Sequence, residues 1–298
     1  MPGPRRFPLP LIAAFFALYV IWGSTYLVIR IGVEYWPPLM LGGIRFLLAG
    51  AAMYAFLRWR GAPAPTWEQW KAAAKIGILL LTFGNGAVSV AEHTGVSSGV
   101  AALAVATVPL FTLLCGYFWG ARNTRLEWAG VILGMVGIAM LNMGSTLQSS
   151  PMGAALLLFA AASWAFGSVW SRRLPLPPGA MASAAEMLVA GVTLLLASLL
   201  TGEHLQAMPP LEGWLALAYL AVFGSIIAFN AYMYLLKHVR PAAATSYAYV
   251  NPAVAVLLGI VFIGETIGLE ESLAMLVIIS AVLLISLPQW RKPKPEIR

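Results

Sequence analysis

Two charged side chains stand inside long apolar runs of this chain. Arg45 lies within Ile44-Arg45-Phe46-Leu47-Leu48-Ala49-Gly50, and Glu186 within Ala185-Glu186-Met187-Leu188-Val189-Ala190-Gly191. An ionisable group at bilayer depth is costly and normally faces a partner or a wet cavity. A guanidinium so placed could attract a substrate carboxylate, and a carboxyl could hold a substrate amine or a proton. The alternative is a structural ion pair near a helix end, for Arg45 with Glu92 or Glu265. Counted from opposite ends of their segments, each lies roughly 10 Å deep at 1.5 Å per residue. They are then separated by about 10 Å in a core about 30 Å thick, too far for a direct salt bridge without bending.

Other polar and aromatic residues fall inside the apolar runs. With the two charges they give a set of candidate cavity residues: Trp22, Ser24, Arg45, Asn85, Thr107, Trp164, Ser168, Glu186, Asn230, Tyr234, Tyr247 and Asn251. Ser89, Ser163, Tyr232, Thr245, Ser246 and Tyr249 accompany them. Together they suit a small-molecule substrate that is amphipathic and aromatic or cationic in part, because aromatic faces bind rings and cations. The competing reading is that Ser and Thr bond their own helix and buried amides join helices. Pro109 and Pro252 each delete a helix hydrogen bond near mid-segment. They are candidate gating hinges, or static kinks that shape a cavity.

Enzymatic chemistry finds little support. Gly95-Val96-Ser97-Ser98-Gly99 fits the nucleophile-elbow pattern, but an elbow needs a preceding strand and here an apolar helix precedes it. Helix capping by Ser97 or Ser98 explains it better than an intramembrane hydrolase. All 11 acidic residues are glutamate, which removes an aspartate-based triad. His93, His204 and His238 lie in different loops, and Cys115 is single, so no metal centre is expected. No phosphate-binding or dinucleotide fingerprint occurs, so no cofactor is expected.

These residues must be positioned by a scaffold that lives in lipid. The 298 residues are 60% hydrophobic and 10% charged, with a mean hydropathy of +0.83, whereas soluble domains carry about 25% charged residues. Ten runs are long enough to span: about 9–30, 38–58, 72–91, 97–119, 126–144, 152–172, 180–201, 213–235, 241–262 and 270–288. The first is too long for a signal-peptide core of about 7–15 residues and lacks a clear cleavage site, so it reads as an uncleaved span. The longest loop ends in Thr66-Trp67-Glu68-Gln69, a capping-box pattern. Trp67, Trp70, Trp128, Trp214 and Trp290 fall near span ends, as interfacial anchors do.

With the N-terminus cytoplasmic, 16 of the 18 Lys and Arg residues fall on the inner side, Arg30 and Arg45 excepted. The separation follows the positive-inside rule and places both termini in the cytoplasm. The net charge of +7 is spread in short clusters, the broadest being Arg291-Lys292-Pro293-Lys294. Nucleic-acid binding, which needs a contiguous basic surface, is therefore not expected.

The chain also repeats itself at about 141 residues. Trp22 and Arg30 match Trp164 and Arg172, Pro37-Pro38 match Pro177-Pro178, Phe83-Gly84 match Phe223-Gly224, and Pro109 matches Pro252. Each copy holds five spans, an odd number, so the second enters from the opposite side. Inverted halves exchange conformations, which is the physical basis of alternating access, and place their binding site at the seam. Gly116, Gly120, Gly130 and Gly134 permit close helix approach, with a homodimer contact through Gly130 and Gly134 as a further option.

Ile21-Trp22-Gly23-Ser24-Thr25, Pro37-Pro38, Arg45-Phe46 and Gly264-Glu265, in this order, resemble the EamA repeats of the drug/metabolite transporter superfamily. The chain looks closest to ten-helix bacterial inner-membrane exporters of the YedA/YddG type. The resemblance covers two units, 9–143 and 153–287, and so implies an all-α membrane protein of ten transmembrane helices in two inverted five-helix EamA repeats. It implies a secondary transporter exporting amino acids, related metabolites or drug-like compounds. It also implies a central cavity lined by the first four spans of each half, with the fifth spans outside. A metabolite antiporter of the sugar-phosphate or nucleotide-sugar type is the alternative, and would favour several cavity cations where only Arg30 and Arg45 are candidates. A membrane scaffold is a more distant one. The second copy replaces Arg45 by Glu186 and Trp22-Gly23-Ser24 by Trp164-Ala165-Phe166, so the cavity is expected to be chemically asymmetric.

Overall fold

A computed structural model of the chain describes residues 9–93, 104–141, 151–254 and 269–291. Every regular element among them is helical. In chain order these are α1 (Leu9–Tyr35), α2 (Pro38–Trp59) and α3 (Trp67–Ala91), then α4 (Val108–Phe118) and α5 (Arg125–Leu141). The second half brings α6 (Pro151–Ser171), α7 (Ala180–Leu200) and α8 (Leu211–His238). The ninth segment, α9, opens at Pro241–Ala244, turns at 245–246 and continues helically to residue 254. The last helix is α10 (Leu269–Arg291). Among the described residues, six helices are long and apolar enough to cross a membrane: α1, α2, α3, α6, α7 and α8. Of the other four segments expected to span, α4, α5 and α9 are shorter here, and residues 97–103, 142–144 and 255–262, which belong to them, lie outside the described residues, whereas α10 covers the whole of its expected run.

Local chemistry sets the helix starts. Thr66 Oγ1 accepts from Gln69 N at 3.3 Å and Gln69 Oε1 accepts from Thr66 N at 3.0 Å, the capping box read from the sequence. Pro38 sits in the first turn of α2, where its missing N–H costs nothing. The free amides of that turn are met from the other half of the molecule: Leu39 N and Met40 N donate to the Glu203 carboxylate at 3.1 and 2.9 Å.

The interior is largely apolar, as in a water-soluble protein, but so is much of the surface. Large apolar side chains such as Phe16, Leu48, Leu196, Leu199 and Leu200 are exposed, as a lipid-facing surface requires. Polar side chains such as Thr25, Arg45, Ser168, Glu186, Ser225 and Asn251 are buried between helices. Lipid supplies no hydrophobic drive between helices, so close backbone contact has to do that work. The most extensive contacts join α2 to α7 and α5 to α10. A Cβ on Gly191 would stand 2.6 Å from Leu47 N, and one on Gly50 2.8 Å from Leu188 N. Only glycine allows the two helices to meet there.

Gly130 and Gly134 are used in the same way within the chain. A Cβ on Gly130 would meet Ile285 and the Ala281 carbonyl of α10, and one on Gly134 would meet the Tyr249 ring. Their faces are filled by α10 and α9, so the option of a homodimer contact through these two glycines is withdrawn.

Three helices carry wide π-type turns that the sequence did not announce: Ala17–Ile21 in α1, Ile78–Gly86 in α3 and Leu220–Phe229 in α8. The last two occupy matching places in the two copies. Such bulges are uncommon and concentrate at functional sites. The proline expectation also changes in detail. Pro109 does not kink a continuous helix; it sits in the first turn of α4, after a break at residues 106–107. The corresponding break in α9 is at 245–246, six residues before Pro252. At both breaks a hydroxyl bonds back to the carbonyl three residues earlier, Thr107 to Ala104 at 2.5 Å and Ser246 to Ala243 at 2.7 Å.

Candidate functional site

A cavity lies between helices of both copies. It is lined by Trp22, Thr25 and Ile29 of α1, Arg45 and Phe46 of α2, Gly84, Asn85 and Val88 of α3, and Val105 and Val108 at the start of α4. From the second copy come Leu157, Ala160, Ala161 and Trp164 of α6, Gly224 and Phe229 of α8, and Tyr247 and Asn251 of α9. Among the described residues, none of α5 or α10 lines it, and these two helices pack on each other. The centres of water-sized spheres sweep about 90 Å³ in it, enough for several waters at roughly 10–15 Å³ each in that measure. The two π-type segments supply Gly84, Asn85, Gly224 and Phe229, so the irregular backbone borders the cavity on both sides.

Arg45 is the charged group of this lining among the described residues. Its side chain is held at 5% exposure. Nε donates to Ser225 Oγ at 2.9 Å, and Ser225 Oγ donates onward to the Leu220 carbonyl at 3.0 Å. That onward bond spends the serine proton and leaves a lone pair fixed toward the guanidinium. The Phe46 ring lies 4.4 Å from Arg45 Cζ and adds a cation–π contact. No carboxylate pairs with Arg45 among the described residues. The side chain of Glu92 and all of Glu265, the partners considered from sequence, lie outside them, as do residues 95–99 of the elbow-like motif.

Beneath the cavity four aromatic rings close on one another. Trp22 meets Tyr247 at 4.9 Å, Tyr232 at 5.3 Å and Trp164 at 5.6 Å between centroids. Tyr232 lies 5.5 Å from Trp164 and 5.6 Å from Tyr247. Their polar atoms are turned to one another and to the backbone. Trp22 Nε1 donates to the Gly224 carbonyl at 3.0 Å, Trp164 Nε1 donates to Tyr232 Oη at 2.9 Å, and Ser168 Oγ shares a hydrogen bond of 2.5 Å with Tyr232 Oη. One layer further, Tyr19 Oη and Ser246 Oγ share a bond of 2.7 Å. In the orientation that satisfies its neighbours, the Asn251 amide donates to the carbonyls of Tyr247 and Tyr19 at 3.2 Å each.

At the end of the molecule beyond these rings, basic loop residues tie the copies together. Arg240 Nη2 donates to Glu127 Oε2 at 2.8 Å and its Nε donates to Oε1. Glu127 also accepts from Thr124 N at 2.7 Å. Arg172 Nη1 donates to the Val239 carbonyl at 3.2 Å. Burial, then the nearby Arg240 and Arg173 guanidiniums, lower the Arg172 guanidinium below its ordinary range. At the opposite end a larger hollow, about 670 Å³ in the same measure, is lined by Glu34, Trp36, His93, Glu203 and His204 among others.

Six of the twelve candidates read from the sequence therefore come together at the cavity: Trp22, Arg45, Asn85, Trp164, Tyr247 and Asn251. The other six stand elsewhere. Ser24 Oγ donates to its own Ile21 carbonyl and meets Tyr219 Oη, each at 2.7 Å. Thr107 caps the break before α4. Ser168 lies behind the ring cluster, buried against Tyr232. Asn230 Nδ2 donates to the Ile226 carbonyl at 2.7 Å and touches Met53 Sδ, and Tyr234 stacks on His238 at 3.9 Å.

Glu186 is fully buried but does not reach the cavity. Its backbone packs on α3, where a Cβ on Gly77 would stand 2.5 Å from its carbonyl oxygen. Its two carboxyl oxygens find no hydrogen-bond partner among the described residues, and Ser183 Oγ, three residues earlier, finds none either. Ser225 is the residue the site adds, and Tyr232, named from the sequence beside the twelve candidates, joins the ring cluster. The signal for Ser225 was present: Gly224-Ser225 occupies the place of Gly84-Asn85 in the repeat.

Comparison with known proteins adds identity to this geometry. Residues 9–143 and 151–287 each match the EamA-like transporter family. The chain is 57% identical to the "Uncharacterized inner membrane transporter YedA" of Escherichia coli (strain K12), over 97% of this chain and 95% of that one. It is 28% identical to a "Probable amino-acid metabolite efflux pump" of Salmonella typhimurium, over 87% of this chain and 89% of that one. A crystal structure of a protein 21% identical superposes with a TM-score of 0.78, covering 95% of this chain and 99% of the other, and so shares the fold.

Proposed function

Because the chain belongs to the EamA-like transporter family, and is thus a multi-pass membrane transporter, we propose that it is a secondary transporter exporting amino acids or related small metabolites across the bacterial inner membrane by alternating access. The observation that carries this reading is the Arg45 guanidinium, buried at 5% exposure, opening on a cavity built from both copies with one side-chain bond and no carboxylate partner among the described residues. A buried charge without a counter-ion costs several kcal/mol, and a bound anion would remove that cost. The name of the Salmonella relative supports the metabolite class.

In this reading the halves insert oppositely, both termini are cytoplasmic, and the cavity lies toward the outer face. The four-ring cluster and the Arg240–Glu127 pair then close the inner side. The breaks at 106–107 and 245–246 are where α4 and α9 would pivot. Glu186 is the group for proton coupling, reached from the inner side, while Arg45 holds the substrate. A sugar-phosphate or nucleotide-sugar antiporter would need several cations around the ligand; Arg45 alone lines the cavity among the described residues.

Counterflow in proteoliposomes with a panel of amino acids and their metabolites, run with and without a pH gradient, tests the proposal. Accelerated exchange of at least one member over protein-free vesicles is expected. Zero flux for every member would overturn it.

A further inference from the structure

Resting on the reading of this cavity as the transport site, we infer that its substrate is a monocarboxylate with an apolar or aromatic body whose amine is absent or masked, not a free zwitterionic amino acid. The polar inventory of the wall is unbalanced. Arg45 enters with Nε already fixed on Ser225, which leaves the two Nη groups to take one carboxylate in the bidentate manner that suits a guanidinium. A single anion then balances a single cation, and the desolvated site becomes neutral.

An ammonium on the same ligand would need its own anionic partner, and the wall has none among the described residues. Glu186, the acid expected to line the cavity along with Arg45, is absent from its lining. Thr25 Oγ1 spends its proton on the Trp22 carbonyl at 2.8 Å. The indole N–H groups of Trp22 and Trp164 are engaged with Gly224 and Tyr232, so those side chains offer ring surface and no polar atom. Ring faces attract a cation weakly compared with the water it would shed. They are instead a good floor for an apolar or aromatic body. Asn85 and Asn251 remain on the wall as neutral amides, suited to a keto, hydroxyl or acylamide group. The chemistry recognised is one guanidinium-bound carboxylate, a neutral hydrogen-bonding group or two, and one ring or branched chain.

The test uses three compounds of one skeleton: 3-phenylpropionate (carboxylate only), phenylalanine (both charges) and phenethylamine (amine only). Binding to the purified full-length protein is followed by its tryptophan fluorescence, since Trp22 and Trp164 form the floor, and counterflow is measured at pH 7.5 against protein-free vesicles. Binding of 3-phenylpropionate at least tenfold tighter than phenylalanine, with none for phenethylamine, is expected, and Arg45→Gln should weaken it at least tenfold in a protein that remains monodisperse. Equal or tighter binding of phenylalanine or phenethylamine overturns the inference and leaves the transport reading standing. Tight carboxylate binding with no counterflow supports the inference and overturns the transport reading. Failure of all three to bind overturns the inference, and so does carboxylate binding unchanged by both Arg45→Gln and Arg45→Lys.

Discussion

Arg45 Nε and Ser225 Oγ, 2.9 Å apart, join α2 of the first copy to α8 of the second across the wall of the cavity. The serine does not neutralise the guanidinium; it aims it. Ser225→Ala should therefore leave the charge in place and loosen its orientation. A hydrogen bond to a charged group contributes about 1.5–3 kcal/mol, but water can replace part of it in a wet cavity. Substrate affinity is expected to fall about three- to tenfold with the thermal midpoint nearly unchanged, whereas Arg45→Gln should cost more. Equal losses from the two variants, in titrations of tryptophan fluorescence, would show that Ser225 acts in some other way.

The ring cluster makes a second prediction. Tyr232→Phe keeps the ring and removes the hydroxyl that Trp164 Nε1 and Ser168 both use. The indole N–H is then buried without a partner, at about 1–3 kcal/mol. If this layer closes the inner side, a cysteine introduced as Ser168→Cys in a Cys115→Ala background should label faster from the cytoplasmic face when Tyr232→Phe is added. An unchanged labelling rate alongside a lowered midpoint would reduce Tyr232 to a structural role.

The ion pair of Arg240 with Glu127 links the copies at the basic end, and Glu127 is 1% exposed there. Arg240→Gln leaves that carboxylate buried with only Thr124 as partner. Partial exposure of Arg240 discounts the usual cost of breaking a buried pair, and a loss of about 2 kcal/mol is expected. Glu127→Gln added to Arg240→Gln should recover much of it, as a double-mutant cycle in thermal denaturation would register. Additive losses would contradict the pairing as the cause.

Glu186→Gln removes a buried carboxyl with no hydrogen-bond partner among the described residues and keeps its shape. In the coupling proposal, stimulation of counterflow by a pH gradient disappears while exchange at equal pH persists. A variant with normal transport and normal pH dependence would remove Glu186 from coupling.

How much of this was legible in the sequence depends on which force fixed each feature. Lipid forces apolar runs of a given length, so six long helices stand where such runs were read, and α1 and α8 extend several residues past the runs as polar ends continue the helix. The capping box at Thr66 was legible because it is a local pattern. Arg45 at the cavity was legible because a charge at that depth has few other places to go. Glu186 occupies the equivalent sequence position yet is absent from the cavity lining: repeat symmetry fixes a position along the chain, and close backbone contacts at Gly77 and Gly191 set how α7 packs. The π-type turns were illegible, because Ile78–Gly86 and Leu220–Phe229 read as ordinary apolar helix.

The most direct measurement is side-specific labelling of Thr25→Cys, in the Cys115→Ala background, with a membrane-impermeant thiol reagent. Thr25 lines the cavity at 7% exposure. In right-side-out and in inverted vesicles alike the position is expected to react, and a bound substrate is expected to slow both reactions. Reaction from one face only, unchanged by substrate, would contradict a cavity that opens alternately to the two sides of the membrane.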